Sequence, residues 1–336
     1  MSSSDTKPRW KSVYALWIPI EFPVLVGEVL VRAFLLCVYY YYKYMTPVHL
    51  VMGDWSELAH YSYPYSMNQV IPSSTLNVMV VVFSVSAGVV TCIAALLLAR
   101  SHLSFSSLAH SFAYYGLASS FSFTLTAAIT NVLKQYCGRL RPDFLNRCYP
   151  SMYKPYELPH IDFDQIMNPR LPCEPGTPFD ILDGRRSHPS GHSSYTASVC
   201  VVAAVYVYLM VKRIGEVNAL ARVRALAGTL AAALAIVLPI YVGSTRVLDR
   251  RHHVTDVIGG LALGTVCAGL SCVLYFRETT AFPLLVNKPA TNSALGDGGA
   301  LGDGGKGKYI VHEMTPPQNP YLDSYGQQPM VKSYNP

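Results

Sequence analysis

Charge is what this sequence has least of. Asp, Glu, Lys and Arg together make up 14% of its 336 residues, against about 25% in a soluble domain. Five long runs, residues 76–99, 105–133, 193–211, 225–242 and 257–276, hold none of the four. Such scarcity excludes an ordinary water-soluble globule. No N-x-S/T sequon occurs, so N-glycosylation offers no check on sidedness. A cleavable signal peptide is not expected, because Glu21 interrupts the first apolar region with no small-residue cleavage site behind it. A signal anchor is the expected alternative.

Apolar residues are abundant. They make up 51% of the chain, and the mean hydropathy is +0.26. Each charge-free run approaches or exceeds the ~20 residues that cross a bilayer core as helix. A sixth candidate, residues 23–45, carries Glu28, Arg32 and Lys43 and ends in a Tyr39–Tyr42 belt suited to an interface. Glu28 and Arg32 stand four apart, so on a helix they are expected to neutralise each other. The expected fold is all-α: a polytopic membrane protein of about six transmembrane helices. Residues 1–286 would form an integral-membrane catalytic domain. Residues 287–336, with the direct repeat ALGDGGALGDGG, would be a disordered cytosolic tail.

Basic flanks set the expected orientation. Lys7, Arg9 and Lys11, then Arg100, then Lys212, Arg213, Arg222 and Arg224 are assigned to the cytosol. Residues 134–192 and 243–256 then face the lumen or cell exterior. Whichever side is cytosolic, six spans put these two loops on one face. Of eight cysteines, Cys137, Cys148 and Cys173 fall on that outer side, with Cys148–Cys173 the favoured disulfide. The other five sit in spans and read as small buried hydrophobes.

Polar chemistry gathers where the spans end. KQYCGRLRPDF places Lys134, Arg139, Arg141 and Pro142 after span three. RRSHPSGHSS places Ser190, Gly191 and His192 before span four, and STRVLDRRHHVTDV places Arg246, His252 and Asp256 between spans five and six. A turn at Pro189 opens a helix whose first amides can hold an anion. Lys134, Arg141 and Arg246 can surround the same anion. His252 and Asp256 are four apart and would share a helical face, so the aspartate can fix the imidazole tautomer and leave the other nitrogen nucleophilic. His192 is then a spare proton carrier. Arg185, Arg186, Arg250 and Arg251 are expected to meet lipid headgroups, and His188 and His253 to pack or do the same. A metal is not expected, because three cations would crowd it and few carboxylates converge.

Together the three clusters resemble the signature of the type 2 phosphatidic acid phosphatase superfamily, K-x6-R-P, P-S-G-H and S-R-x5-H-x3-D, most like its lipid phosphate phosphatases. They correspond to Lys134–Pro142, Pro189–His192 and Arg246–Asp256, with Thr245 where the third pattern has serine. The resemblance covers about residues 20–277. It implies a phosphohistidine on His252 oriented by Asp256, and a leaving alcohol protonated by His192. Lys134, Arg141, Arg246, Ser190 and Gly191 would hold the phosphoryl oxygens, with no cofactor. The partners it implies are a phosphorylated lipid substrate and membrane lipids, not nucleic acid. A homo-oligomer, a phosphotransferase, a sugar-phosphate phosphatase and a non-catalytic receptor or scaffold stay open, as does the membrane of residence.

Overall fold

A computed structural model describes residues 22–48, 60–99, 105–150, 173–175, 180–215 and 221–276. The expectations for the 287–336 tail and for the basic residues before span one lie outside these residues. Among the described residues the secondary structure is helical. The elements are α1 (Phe22–Lys43), α2 (Ser73–Ala99), α3 (Phe105–Cys137), α4 (Phe144–Cys148), α5 (Ile181–Gly184), α6 (Gly191–Gly215), α7 (Ala221–Leu248) and α8 (Val254–Tyr275). Six of them, all but α4 and α5, are long and apolar enough to cross a membrane. Helix is the form expected of such runs, since hydrocarbon offers backbone amides no water to bond. The protein is an integral, multi-pass membrane protein.

The spans extend past the charge-free runs that announced them. α3 continues to Cys137, α6 begins at Gly191, and α7 runs to Leu248. Lys134, His192 and Arg246 therefore sit on the terminal turns of spanning helices, where the backbone fixes their positions.

α6 is the central helix and packs on α2, α3, α7 and α8. With no hydrophobic drive between helices in lipid, close backbone approach through small residues supplies the packing. Gly260 and Gly264 of α8 show it. A Cβ on Gly260 would lie 2.5 Å from the Ser190 carbonyl oxygen, and one on Gly264 would collide with the Ser194 carbonyl oxygen. Gly243 of α7 lies equally tight against Val257 and Ser193. These contacts bring the start of α8 directly against the start of α6.

α1 packs on α3. Its Glu28–Arg32 pair forms as expected, at 2.5 Å, and also joins neighbouring helices. Arg32 donates to the Leu117 carbonyl (2.6 Å) and Ser120 (2.9 Å), and Tyr275 of α8 donates to Glu28 (2.5 Å). Outside the spans, the Cys148–Cys173 disulfide is formed and ties α4 to residues 173–175.

The glycine contacts predict a sharp contrast along one helix. Forcing extra methylenes into a packed interface typically costs about 1–3 kcal/mol. Gly264→Leu meets backbone rather than a movable side chain, so it should exceed that range. Gly269→Leu, with nothing within 4 Å of its Cβ, should be near neutral. Melting of both variants in detergent checks this; equal melting points would contradict the packing described.

Candidate active site

The three polar clusters meet at one end of the bundle, around a cavity of about 470 Å³. Lys134, Arg141, Gly191, His192, Arg246 and His252 all line it. Ser190 does not; it is fully buried behind Gly191, its amide donating to the Asp256 carbonyl at 2.9 Å. The first α6 bond runs from Ser194 N to Ser190 O (3.0 Å). The amides of Gly191, His192 and Ser193 are thus unused by the helix, as an anion site at a helix start requires.

Asp256 is where the clusters join. Its side chain is wholly inaccessible to solvent. Oδ1 accepts from Arg139 Nη1 (2.9 Å) and His188 Nδ1 (3.3 Å). Oδ2 accepts from Ser187 Oγ (2.6 Å), His253 N (2.9 Å) and His253 Nδ1 (3.2 Å). His252 Nδ1 lies 3.6 Å from Oδ2 and 3.3 Å from Ser187 Oγ.

This corrects only the helical part of the expected pairing: His252 and Asp256 lie within ion-pair distance, but not on one helix. His252 precedes α8, whose N-cap is His253 with Asp256 as the capping carboxylate. The carboxylate therefore spends one oxygen on the helix start and reaches His252 at longer range. His188 and His253, expected to pack or face headgroups, are instead partners of that carboxylate. Their spacing gave no hint of it, because a capping box and a loop from another helix bring them in.

Lys134, Arg141 and Arg246 are each held by specific partners. Lys134 Nζ donates to the Arg186 carbonyl (2.7 Å). Arg141 pairs with Asp183 (2.6 Å), donates to its carbonyl (2.8 Å) and to that of Arg251 (3.2 Å). Arg246 pairs with Asp249 (2.8 Å) and donates to Gln69 Oε1 (3.0 Å). The Thr245 hydroxyl also accepts from Arg246 (3.0 and 3.2 Å), so threonine serves where the pattern has serine. Burial opposes ionisation of Asp183, but Arg141 and Arg147 overcome it and hold the carboxyl well below its usual range. Burial, then Arg141, drive His252 well below the ordinary imidazole value, against the pull of Asp256. Its ring is neutral at pH 7, with a free lone pair. His192 Nε2 donates to the Ile71 carbonyl at 3.1 Å, which leaves Nδ1 as the nitrogen able to exchange a proton.

The four arginines assigned to headgroups divide. Arg250 is exposed, over the Tyr63 ring at 4.4 Å. Arg185 is buried beside Phe144. Arg186 and Arg251 are buried and line the cavity, which corrects the headgroup expectation for them. Asp183, Ser187 and Gln69 also escaped the sequence reading. Ser187 and Asp183 were within reach of it, both lying on the approach to the PSGH turn; Gln69 carried no signal at all.

Residues 115–280 match the model of the PAP2 superfamily. Over these residues the chain is similar to the PAP2 superfamily. Diacylglycerol pyrophosphate phosphatase 1 of Saccharomyces cerevisiae is 30% identical over 208 residues, 62% of this chain and 65% of that protein. Phospholipid phosphatase 1 of Rattus norvegicus is 34% identical over 158 residues, 47% of this chain and 50% of that protein. Phospholipid phosphatase 2 of Homo sapiens is 31% identical over 168 residues, 49% and 53% of the two chains. The chain thus spans about half to two thirds of the length of these curated relatives. No solved structure matches it significantly. The PAP2 match encloses all three clusters of the cavity.

If Asp256 holds this site together, removing its charge should loosen the whole cavity. Breaking a buried ion pair by removing one partner typically costs about 3–5 kcal/mol. Asp256→Asn should therefore lower the melting temperature in detergent substantially, whereas Arg250→Gln on the exposed side should not. Indistinguishable melting of Asp256→Asn and the parent would contradict the joining role.

Proposed function

We propose that the protein is a metal-independent phosphatase of lipid phosphate monoesters such as phosphatidate, working through a phosphohistidine. The observation that carries the lipid reading is the adjacency of two unlike cavities. A second cavity, about 280 Å³, is lined by Leu76, Met79, Val80, Phe83, Val199, Leu238 and neighbours. Leu76 lines both. On α6 the change of lining takes one turn, from His192 in the polar cavity to Thr196 in the apolar one. A phosphate on an acyl-bearing alcohol suits that arrangement; a soluble sugar phosphate has no use for the apolar half. The names of the relatives support the same substrate class.

In this reading neutral His252 attacks phosphorus through Nε2, in line with the ester oxygen. The P–O bond breaks, and a proton that His192 has first taken up on Nδ1 from solvent passes to the departing oxygen, releasing diacylglycerol. Lys134, Arg141 and Arg246, with the free α6 amides, stabilise the charge on the equatorial oxygens. Water then attacks the phosphohistidine, His192 takes its proton, and the P–N bond breaks to give inorganic phosphate. Fixed cations fill the part that a divalent metal plays elsewhere.

We further propose that the site faces the lumen or the cell exterior. The Cys148–Cys173 disulfide beside the site supports this, since such bonds persist in oxidising compartments.

Purified protein in detergent should hydrolyse phosphatidate in excess EDTA and prefer it to glucose 6-phosphate. Activity abolished by chelation and restored by magnesium would overturn the reading. The leaving group tests His192 more closely. General-acid help is typically worth about 10²–10⁴-fold, and a diacylglycerol alkoxide needs it far more than p-nitrophenolate. His192→Ala should depress turnover of phosphatidate much more than that of p-nitrophenyl phosphate. Equal losses would remove the acid role from His192.

A further inference from the structure

Ser187 lies outside the three signature patterns, yet its side chain is the nearest polar group to His252 Nδ1 on the Asp256 side. It is completely buried. Its backbone is held by donation from its amide to the Arg139 carbonyl at 2.8 Å, which fixes the residue between the first cluster and the PSGH turn. The hydroxyl donates to Asp256 Oδ2 at 2.6 Å. A hydroxyl has one proton and two lone pairs, so with its proton on the carboxylate it can only accept from His252 Nδ1, 3.3 Å away.

The direct alternative is weaker. His252 Nδ1 stands 3.6 Å from Asp256 Oδ2, beyond good hydrogen-bond range. That oxygen already receives His253 N and His253 Nδ1, and Oδ1 receives Arg139 and His188. The carboxylate is saturated by groups that anchor helices, and the serine carries its influence to the imidazole.

We infer that Ser187 is the positioning residue that orients His252, accepting its Nδ1–H and handing that bond on to Asp256. His252 is thereby locked in the tautomer with Nδ1 protonated, and Nε2 is the only nitrogen free to take a phosphoryl group. No proton leaves His252 in this arrangement; the chain Nδ1–H···Oγ–H···Oδ2 polarises as phosphorus bonds to Nε2 and positive charge grows on the ring. The kinetic part of the inference rests on the phosphatase reading above, while the tautomer part stands without it.

The test uses the full chain in detergent, labelled with ¹⁵N-histidine, with His252 assigned by difference from His252→Gln. In the ligand-free parent, His252 should show the Nδ1–H tautomer. In Ser187→Ala it should become a mixture, and in Ser187→Thr, which keeps the hydroxyl, the Nδ1–H form should persist. An unchanged tautomer in Ser187→Ala overturns the inference. Rapid-quench turnover of phosphatidate supplies the second readout. A hydrogen bond to a charged partner is worth about 10–100-fold. Ser187→Ala should slow phosphoenzyme formation by that factor with KM within about twofold. A loss in Ser187→Thr at least as large as in Ser187→Ala, accompanied by lower melting, would mean that Ser187 merely packs, and would also overturn the inference. A parent that shows the tautomer but forms no phosphoenzyme would overturn the phosphatase reading and leave the positioning role supported.

Discussion

A single carboxylate with no access to water holds this site together. Asp256 accepts from the end of α3 through Arg139, from the approach to α6 through Ser187 and His188, and from the start of its own helix through His253. Burying an anion is tolerable only when it is paired and fully hydrogen-bonded, and here the partners come from all three clusters. Bringing the clusters together and satisfying the anion are one event. The glycines of α8 make that event possible, since only their lack of a side chain lets Asp256 approach the α6 backbone so closely.

The electrostatics of the cavity follow from the same arrangement. Lys134, Arg141 and Arg246 point their charge inward because carbonyls and carboxylates behind them fix their positions. Burial first, and then the charge of Arg141 and Lys134, disfavours a protonated imidazole at His252. A neutral imidazole among these cations therefore follows from the burial and charge of the cavity. Charge that would be costly near the bilayer core is placed on the terminal turns of the spanning helices.

Much of this was legible in the sequence, for physical reasons. The charge-free runs announced the spans because hydrocarbon tolerates little else, and the i,i+4 spacing of Glu28 and Arg32 announced their pairing. Lys134, His192 and Arg246, which line one cavity, stood out in the sequence because each adjoins a run that should stay apolar. The helix limits were not legible there, since counting a span only up to its first charge cuts it short of the turn that carries the cavity-lining residue. Three further features were hidden. The His252–Asp256 spacing suggested one helical face, but the helix starts two residues after His252 and the carboxylate serves as its cap. The roles of Ser187 and Gln69 depend on loops that only the folded bundle brings near. The burial of Arg186 and Arg251 could not be separated from headgroup contact by composition, because both uses place arginine at the end of a span.

The account turns on His252 making the bond to phosphorus. The most direct measurement is to quench the enzyme during turnover of phosphatidate under mildly alkaline conditions, digest it, and map the phosphorylated peptide by mass spectrometry. The account predicts an acid-labile phosphoryl group on His252, in the peptide that spans Arg251 to Asp256. A phosphoryl group on His192 or on a serine, or trapping that persists in His252→Ala, would contradict it.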